Sequence, residues 1–416
     1  MPKKRTKKIK VGVVGAARGK AFGVAAGAKL EMELVALCDT WQRRLEQVGE
    51  QLDVATYADF DEFLQHDMDA VILANYFHEH TRLAVKALKA GKHVMSETTA
   101  CFTPAEGVAL VEAVEKSGKI YMLAENYPYM VFNQEMRRIF RTGKIGTFMY
   151  GEGEYVHPES ADFWNSISNG IDHWRNWIPA TYYCTHSLGP IMYITDTRPV
   201  KVNGLVMPHC DDDPVTQRCP RRNDDASMIA LRMNNGAVVK LLQMWLRGES
   251  VWTRIHGSRG QMENLRHGNT QKVRIRREQY HQRRTGPVDQ TYLPEFPKHH
   301  QEAMKATHGG GDFFMNYHFA EAIRKNTPPY FDVYRGVAMS LVGILAYRSA
   351  LNDSNALEIP DFRKKSVRRR YADDRWSPDP GQRKKGDPWP SIKGDVKPGE
   401  KAMAYARRNW DRYLDL

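Results

Sequence analysis

The sequence predicts an α/β fold in two parts: a parallel sheet covered by helices, then an α+β domain with an open antiparallel sheet. Three observations carry this. Short apolar runs alternate with helical patterns over the first 127 residues. A turn with two glycines, Gly15-Ala16-Ala17-Arg18-Gly19, joins the first run to the first helix. Beyond residue 148 the pattern changes to alternating strands around turn residues, as in SMIALRMNNGAVVKLLQMW (227–245).

The elements follow in order. Residues 9–14 (IKVGVV) form the first strand. MELVALCD (32–39) is the second and ends in Asp39. MDAVILAN (68–75), KHVMSE (92–97) and KIYMLAEN (119–126) are the third, fourth and fifth. Helical periodicity lies between them, as in HTRLAVKALKAGK and PAEGVALVEAVEKSGK. This is the pattern of a Rossmann domain, over residues 9–127. Residues 128–362 form the α+β substrate and oligomerisation domain. Asn-Asn-Gly (234–236) is a type I′ hairpin signal, and the helices near 312–352 are expected to pack back on the Rossmann domain. Residues 1–8 are a basic tail. Residues 363–416, rich in Pro, Lys and Arg, read as an extended arm laid on a surface, with an oligomer partner as that surface.

The 416 residues, 42% hydrophobic, suffice for two cored domains. The net charge of +12 is not a nucleic-acid footprint. Residues 1–10 contribute +6 and residues 363–416 contribute +8, which leaves the body at −2. Five scattered cysteines without a CxxC pair point to a reduced, cytoplasmic setting. No signal-peptide pattern or 18-residue apolar run is present. His209-Cys210 with Asp211 to Asp213 lacks a second ligand pair at metal spacing, so no metal is expected.

The glycine-bearing turn suits a pyrophosphate at a helix N-terminus, with Gly15, Ala17, Arg18 and Gly19 around it. Asp39 at the end of the second strand matches a ribose 2′-OH and repels a 2′-phosphate, which favours NAD over NADP. Ligands bind at the carboxyl ends of parallel strands. Asn75, His78 and His80 follow the third strand, Glu97 ends the fourth, and Glu125 and Asn126 end the fifth. Three neighbouring polar strand ends make a site.

AGKHVMSE and AENYPY, with this strand order, resemble the Gfo/Idh/MocA oxidoreductases. That family has an N-terminal NAD(P)-binding Rossmann domain and an antiparallel sheet covering the nicotinamide. Its usual Glu-Lys-Pro, whose lysine transfers the proton in sugar and inositol dehydrogenation, is replaced here by Glu97-Thr98-Thr99. Threonine is no base at neutral pH. GEGEYVH (151–157), HWRNW (173–177), YCTHSLGP (183–190) and HGGGDF (308–313) resemble a narrower group, the NAD-dependent α-N-acetylgalactosaminidase branch of glycoside hydrolases, which also lacks that lysine. Cys184 and Ser187 depart from its Tyr-Pro-Thr-His-Gly-Leu-Gly-Pro motif. The resemblance covers residues 9–365. It implies that Arg18, Gly19, Asp39, Phe77, His78, His80, Glu97, Thr98 and Asn126 touch NAD. It also implies that Tyr155, Arg175, Tyr183, Cys184, Thr185 and His186 touch a sugar.

The chemistry implied is redox-neutral. Oxidation of a sugar at C3 acidifies the C2 proton, a base removes it, and the C1 substituent is expelled. His186 and Tyr155 are the expected proton-transfer residues, with Glu125 in support, and Arg175 and Tyr183 orient hydroxyls. Each has a plainer reading: His186 as a helix cap, Tyr155 as packing, Trp174 and Trp177 as pocket wall or core. A sugar or cyclitol dehydrogenase, and a non-catalytic sugar sensor with structural NAD, are the competing functions. A homo-oligomer, dimer or tetramer, is expected, without nucleic acid or membrane partners.

Overall fold

The computed structural model describes residues 8–25, 30–278, 280 and 287–414. The expected basic tail, apart from Lys8, lies outside them. The chain divides into two compact units. The first contains residues 1–137, 293–338 and 361–373; the second contains 138–292, 339–360 and 374–416.

The first unit holds a six-stranded sheet in the order β3-β2-β1-β4-β5-β6. The strands are β1 (Ile9–Val14), β2 (Met32–Cys38), β3 (Ala55–Tyr57), β4 (Ala70–Leu73), β5 (His93–Ser96) and β6 (Tyr121–Leu123). Every adjacent pair is parallel. β4 is buried throughout, as expected of a central strand covered on both faces. The helices are punctuated locally. Helix Pro104–Ser117 starts with proline in its first turn, carries a Thr103–Glu106 capping box and ends at Gly118 in the left-handed region. Helix Gly311–Lys325 also belongs to this unit and packs against helix Ala16–Ala25. The strand order reverses between β1 and β4, so polar residues following β1, β4, β5 and β6 line one edge.

The second unit is built on a nine-stranded sheet. β7 is Phe148–Val156, β8 Pro199–Met207, β9 Ala226–Met233, β10 Val238–Met244, β11 Ser250–Gly257, β12 Gly260–Asn264, β13 Val273–Arg277, β14 Asp289–Tyr292 and β15 Leu357–Glu358. Their order is β14-β13-β12-β11-β7-β10-β9-β8-β15. The sheet is mixed rather than antiparallel throughout, because β7 and β10 pair in parallel. That pairing joins strands more than eighty residues apart in sequence, which local alternation does not reveal. The hairpin between β9 and β10 also differs from the type I′ expectation. Met233 N–H donates to Ala237 O at 2.8 Å, which leaves a three-residue loop with Gly236 at φ 88°. One left-handed residue at the third loop position makes a bulged turn.

The C-terminal arm is not wholly extended. From Asp374 it lies on the chain's own second unit. Arg348 Nη1 donates to Asp374 Oδ2 at 2.7 Å, Tyr347 Oη to Trp389 O at 2.5 Å, and Ile392 N–H to Asp224 Oδ2 at 2.9 Å. It ends in helix Glu400–Leu414, which buries Ala402 and Ala406, four residues apart. Tyr405 Oη donates to Asp162 at 2.6 Å. Alanine and arginine are good helix formers, but the prolines before them hid the signal.

All five cysteines are free, and only Cys210 is exposed. Burial pushes the Cys38 thiol up to about 12, helped by the Asp39 and Asp59 charges, and burial pushes Cys219 up to about 12 as well. Alkylation of the native chain at pH 8 is therefore expected to label Cys210 alone, read by mass spectrometry of digests. Labelling of Cys38 or Cys219 at a similar rate would contradict the packing.

Candidate active site

In the first unit the turn after β1 is shaped by its glycines. Gly15 sits at φ 94°, and a Cβ there would lie 2.6 Å from Ala74 O and 2.9 Å from Asn75 N. Only glycine lets the turn meet the β4 end this closely. Asp39 accepts from Ala16 N–H at 2.7 Å on one oxygen and from Trp41 N–H at 2.9 Å on the other. Each oxygen keeps a further lone pair for a hydroxyl donor. Ala17 is exposed, while Gly19 is buried against β1.

Arg18 does not project freely. Its Nε donates to Glu97 Oε1 at 2.8 Å, and its two Nη atoms fork onto Asp312 at 2.8 and 3.0 Å. Asp312 also accepts from Asn126 Nδ2 at 3.1 Å and from Thr307 Oγ1, and His308 Nδ1 stands 3.0 Å away. Burial alone would raise the Asp312 carboxyl. Hydrogen bonds from His308 and Arg18, with the Arg18 charge, outweigh it and hold the carboxyl far below the usual range. Its stabilising share is thus present above the ordinary carboxylate pKa and fades only as pH falls below it. Sequence reasoning placed Arg18 and Glu97 at the cofactor but missed Asp312. The acid straight after His-Gly-Gly-Gly, in the first turn of a helix, was the available signal.

Other strand-end residues divide by role. His80 is 1% exposed, with Nδ1 3.2 Å from Thr99 O and Nε2 3.1 Å from Asn75 O. It ties two strand-end loops together beneath the expected cofactor edge. Phe77 is likewise buried, edge-on to Phe102 at 5.1 Å, and supports the loop from beneath. His78 lies half-buried beside it. Thr98 is half-buried, with its N–H 3.4 Å from Glu97 Oε2. Glu125 is fully buried and accepts from Tyr127 N–H at 3.3 Å.

These residues fit an NAD-type group. The Gly15 turn is a cradle that a Cβ would fill. Asn75 Oδ1 and Asn126 Oδ1 are buried acceptors without a donor among the described residues, and such atoms call for a partner. Ribose hydroxyls and a carboxamide N–H supply donors of that kind.

In the second unit GEGEY has a geometric reason. Alternation along β7 sends Gly151, Gly153 and Tyr155 to one face. A Cβ on Gly153 would press on the Ser187 carbonyl, 2.9 Å from its carbon, so glycine lets helix Thr185–Thr195 lie directly on the strand. Tyr155 thereby meets His186. The ring centroids are 4.8 Å apart, and Tyr183 lies 5.7 Å from Tyr155 and 5.1 Å from His186. Trp174 stacks on Tyr183 at 6.2 Å, and the Arg175 guanidinium lies 4.2 Å over the Trp174 ring. Tyr155, Arg175, Tyr183 and His186 are thus gathered in one cluster with Trp174.

Cys184 and Thr185 are not part of that surface. Cys184 is 0% exposed with Sγ 3.7 Å from Met339 O, and Thr185 is 1% exposed. They pack the start of the helix. Ser187 is buried too, its single hydroxyl proton shared between Cys184 O and Gln243 Oε1, each 3.0 Å from Oγ.

Glu152 and Glu154 point to the opposite face of β7 and are ion-paired. Glu152 accepts from Lys240 Nζ at 2.9 Å and from Arg254, its neighbours on β10 and β11, while Glu154 pairs with Arg266. A cleft of about 500 Å³ lies on this charged face, beside Trp252. The two carboxylates of GEGEY are therefore not an acid–base pair of an ordinary glycosidase.

The first unit's sheet order, glycine turn and strand-end polar groups define an NAD-type dinucleotide-binding oxidoreductase fold, and comparison with known proteins agrees. Residues 9–125 match the oxidoreductase family with NAD-binding Rossmann fold, and 133–263 match the Gfo/Idh/MocA C-terminal domain. Residues 216–369 match the glycosyl hydrolase 109 C-terminal domain. The chain is an enzyme and belongs to the Gfo/Idh/MocA oxidoreductase family. It is 25% identical over 391 residues to a glycosyl hydrolase family 109 protein of Shewanella sp. (strain MR-4), covering 85% of each chain. It is 24% identical over 393 residues to the alpha-N-acetylgalactosaminidase of Shewanella oneidensis, again covering 85% of each. In fold it is similar to a levoglucosan dehydrogenase solved with NADH, with TM-score 0.74 and 20% identity over 85% of this chain and 100% of that one. Among the described residues no helix is long and apolar enough to cross a membrane.

Proposed function

We propose that the protein is a glycoside-cleaving enzyme that uses NAD without net oxidation. The observation that carries this is the Tyr155–His186–Tyr183 cluster, two phenols and an imidazole with centroids within 5.7 Å, in a chain whose strand-end Glu97 is followed by Thr98 rather than lysine. NAD bound in the first unit supplies reversible hydride transfer, turning a ring carbinol into a ketone and back. Gly15, Asp39, Asn75 and Asn126 are the residues to hold it, and Asp39 favours NAD over NADP.

A ketone acidifies the neighbouring C–H. An imidazole titrates near neutrality, and a phenol at its side donates or accepts a hydrogen bond as charge develops. His186 takes the proton from the ring carbon. Tyr155 hydrogen-bonds the developing enolate or the leaving oxygen. Arg175 and Tyr183 orient hydroxyls, and Trp174, stacked between them, holds both in place. Water then adds at the carbon that lost its substituent, and the proton returns, so the balance is hydrolysis.

The relatives' printed names, glycosyl hydrolase 109 and alpha-N-acetylgalactosaminidase, support an acetamido-sugar glycoside as the first substrate to try. The test is a panel of aryl glycosides assayed with added NAD+ and after the cofactor is stripped. The expected result is aglycone release that falls on stripping and recovers with NAD+. Release of NADH from a free sugar, without glycoside cleavage, would instead establish a sugar dehydrogenase.

A further inference from the structure

We propose that Asp312 is the positioning residue of the dinucleotide site, acting through Asn126. The inference rests on the dinucleotide reading above. Asp312 is 1% exposed and is surrounded by donors on every side: the Arg18 fork, Asn126 Nδ2, Thr307 Oγ1 and the His308 ring. An ionised carboxylate is acceptor only. It therefore dictates which way the neighbouring Asn126 amide turns, with the NH2 toward Asp312 and the carbonyl away from it.

The consequence is visible at Asn126. Its Oδ1 is buried and has no donor among the described residues, although Asn126 itself is only 4% exposed. Leaving an amide oxygen buried and unbonded is unfavourable. The neighbourhood tolerates this because Asp312 holds the other end of the same amide. The main chain is clamped as well. A Cβ on Gly311 would stand 2.6 Å from Asn126 O, so the glycine before Asp312 brings the helix start directly onto the β6 end. The residue at 312 thus presents Asn126 Oδ1 as a preset acceptor for an N–H or O–H of the bound dinucleotide. Because the amide is already turned, binding does not have to spend free energy turning it.

The test is NADH binding to the full-length chain after removal of bound nucleotide, followed by fluorescence titration. The proteins are wild type, Asp312→Asn, Asn126→Ala and the double variant, with thermal melting of each. In Asp312→Asn the size is kept, but the amide can no longer accept on both oxygens. Asn126→Ala is expected to weaken NADH about tenfold, the worth of one hydrogen bond. Asp312→Asn is expected to weaken it similarly. If Asp312 acts through Asn126, the double variant binds little worse than Asn126→Ala alone. A support role independent of Asn126 would make the losses multiply to about a hundredfold, and that result, or unaltered binding in Asp312→Asn, overturns the proposal. Should Asp312→Asn fail to fold, Thr307→Val and His308→Gln, which keep the Asp312–Asn126 bond, are expected to bind NADH within about threefold of wild type; a tenfold loss in either overturns it. A wild type that binds NADH but cleaves no glycoside sinks the glycosidase reading without touching this one. A wild type that binds no NADH sinks the dinucleotide reading and this inference together.

Discussion

His186→Ala is expected to lower turnover on the best glycoside of the panel by about a hundredfold or more, while bound NAD(H) per chain stays at the wild-type level. General acid–base groups contribute 10²–10⁴ in rate, and His186 is the imidazole that meets both rings, 4.8 Å from Tyr155 and 5.1 Å from Tyr183, whereas His157 lies 5.5 Å from Tyr155. His186 lies in the second unit and the glycine turn in the first, so the nucleotide content should not follow the rate. Thr98→Ala is the contrast. It removes a hydroxyl from the position where the wider family carries its lysine, and it is expected to stay within about tenfold, or about 1.4 kcal/mol. Kinetics on purified variants, with nucleotide counted after denaturation, check both. Loss of activity in Thr98→Ala with near-normal His186→Ala would move the catalytic centre to the first unit.

Gly153→Val is expected to abolish measurable turnover in the glycoside assay and to lower the melting temperature. A side chain at 153 meets the Ser187 carbonyl, which is backbone and cannot swing aside. The start of helix Thr185–Thr195 must shift, and His186 is the residue next to Ser187. Overpacking of this kind costs about 1–3 kcal/mol. A displacement of about 1 Å at a reacting group is enough for a hundredfold rate loss. Gly151→Ala is the control: its nearest neighbours are the Phe148 ring edge at 3.1 and 3.3 Å, a side chain that can give, so a milder effect is expected. Equal losses in the two variants would argue against the strand–helix contact as the reason for the GEGEY spacing.

Much of the fold was legible because its signals are local. The strands β1, β2, β4, β5 and β6 are apolar runs ended by polar residues, and the helix between β5 and β6 carries its own cap and stop. β3 was missed because its three residues, Ala55–Tyr57, carry too short a pattern to read. The parallel β7–β10 pairing and the nine-strand order are long-range choices that no local period encodes. The same holds at the site. The motifs name Tyr155, Tyr183 and His186, whose rings meet, together with Cys184 and Thr185, but motif membership did not show that the last two are packed at 0% and 1% exposure. Asp312 was missed because its meaning lies in Arg18, 294 positions earlier in the chain.

The central claim is that a glycoside is cleaved through oxidation, proton removal and reduction on one sugar ring, with no net redox change. The most direct measurement is cleavage in deuterated water, with the released sugar analysed by NMR and free NADH followed by absorbance. The account predicts deuterium at the ring carbon beside the transient ketone in each released sugar, with no accumulation of NADH. Cleavage without deuterium at that carbon, or one NADH accumulated per sugar consumed, would contradict it.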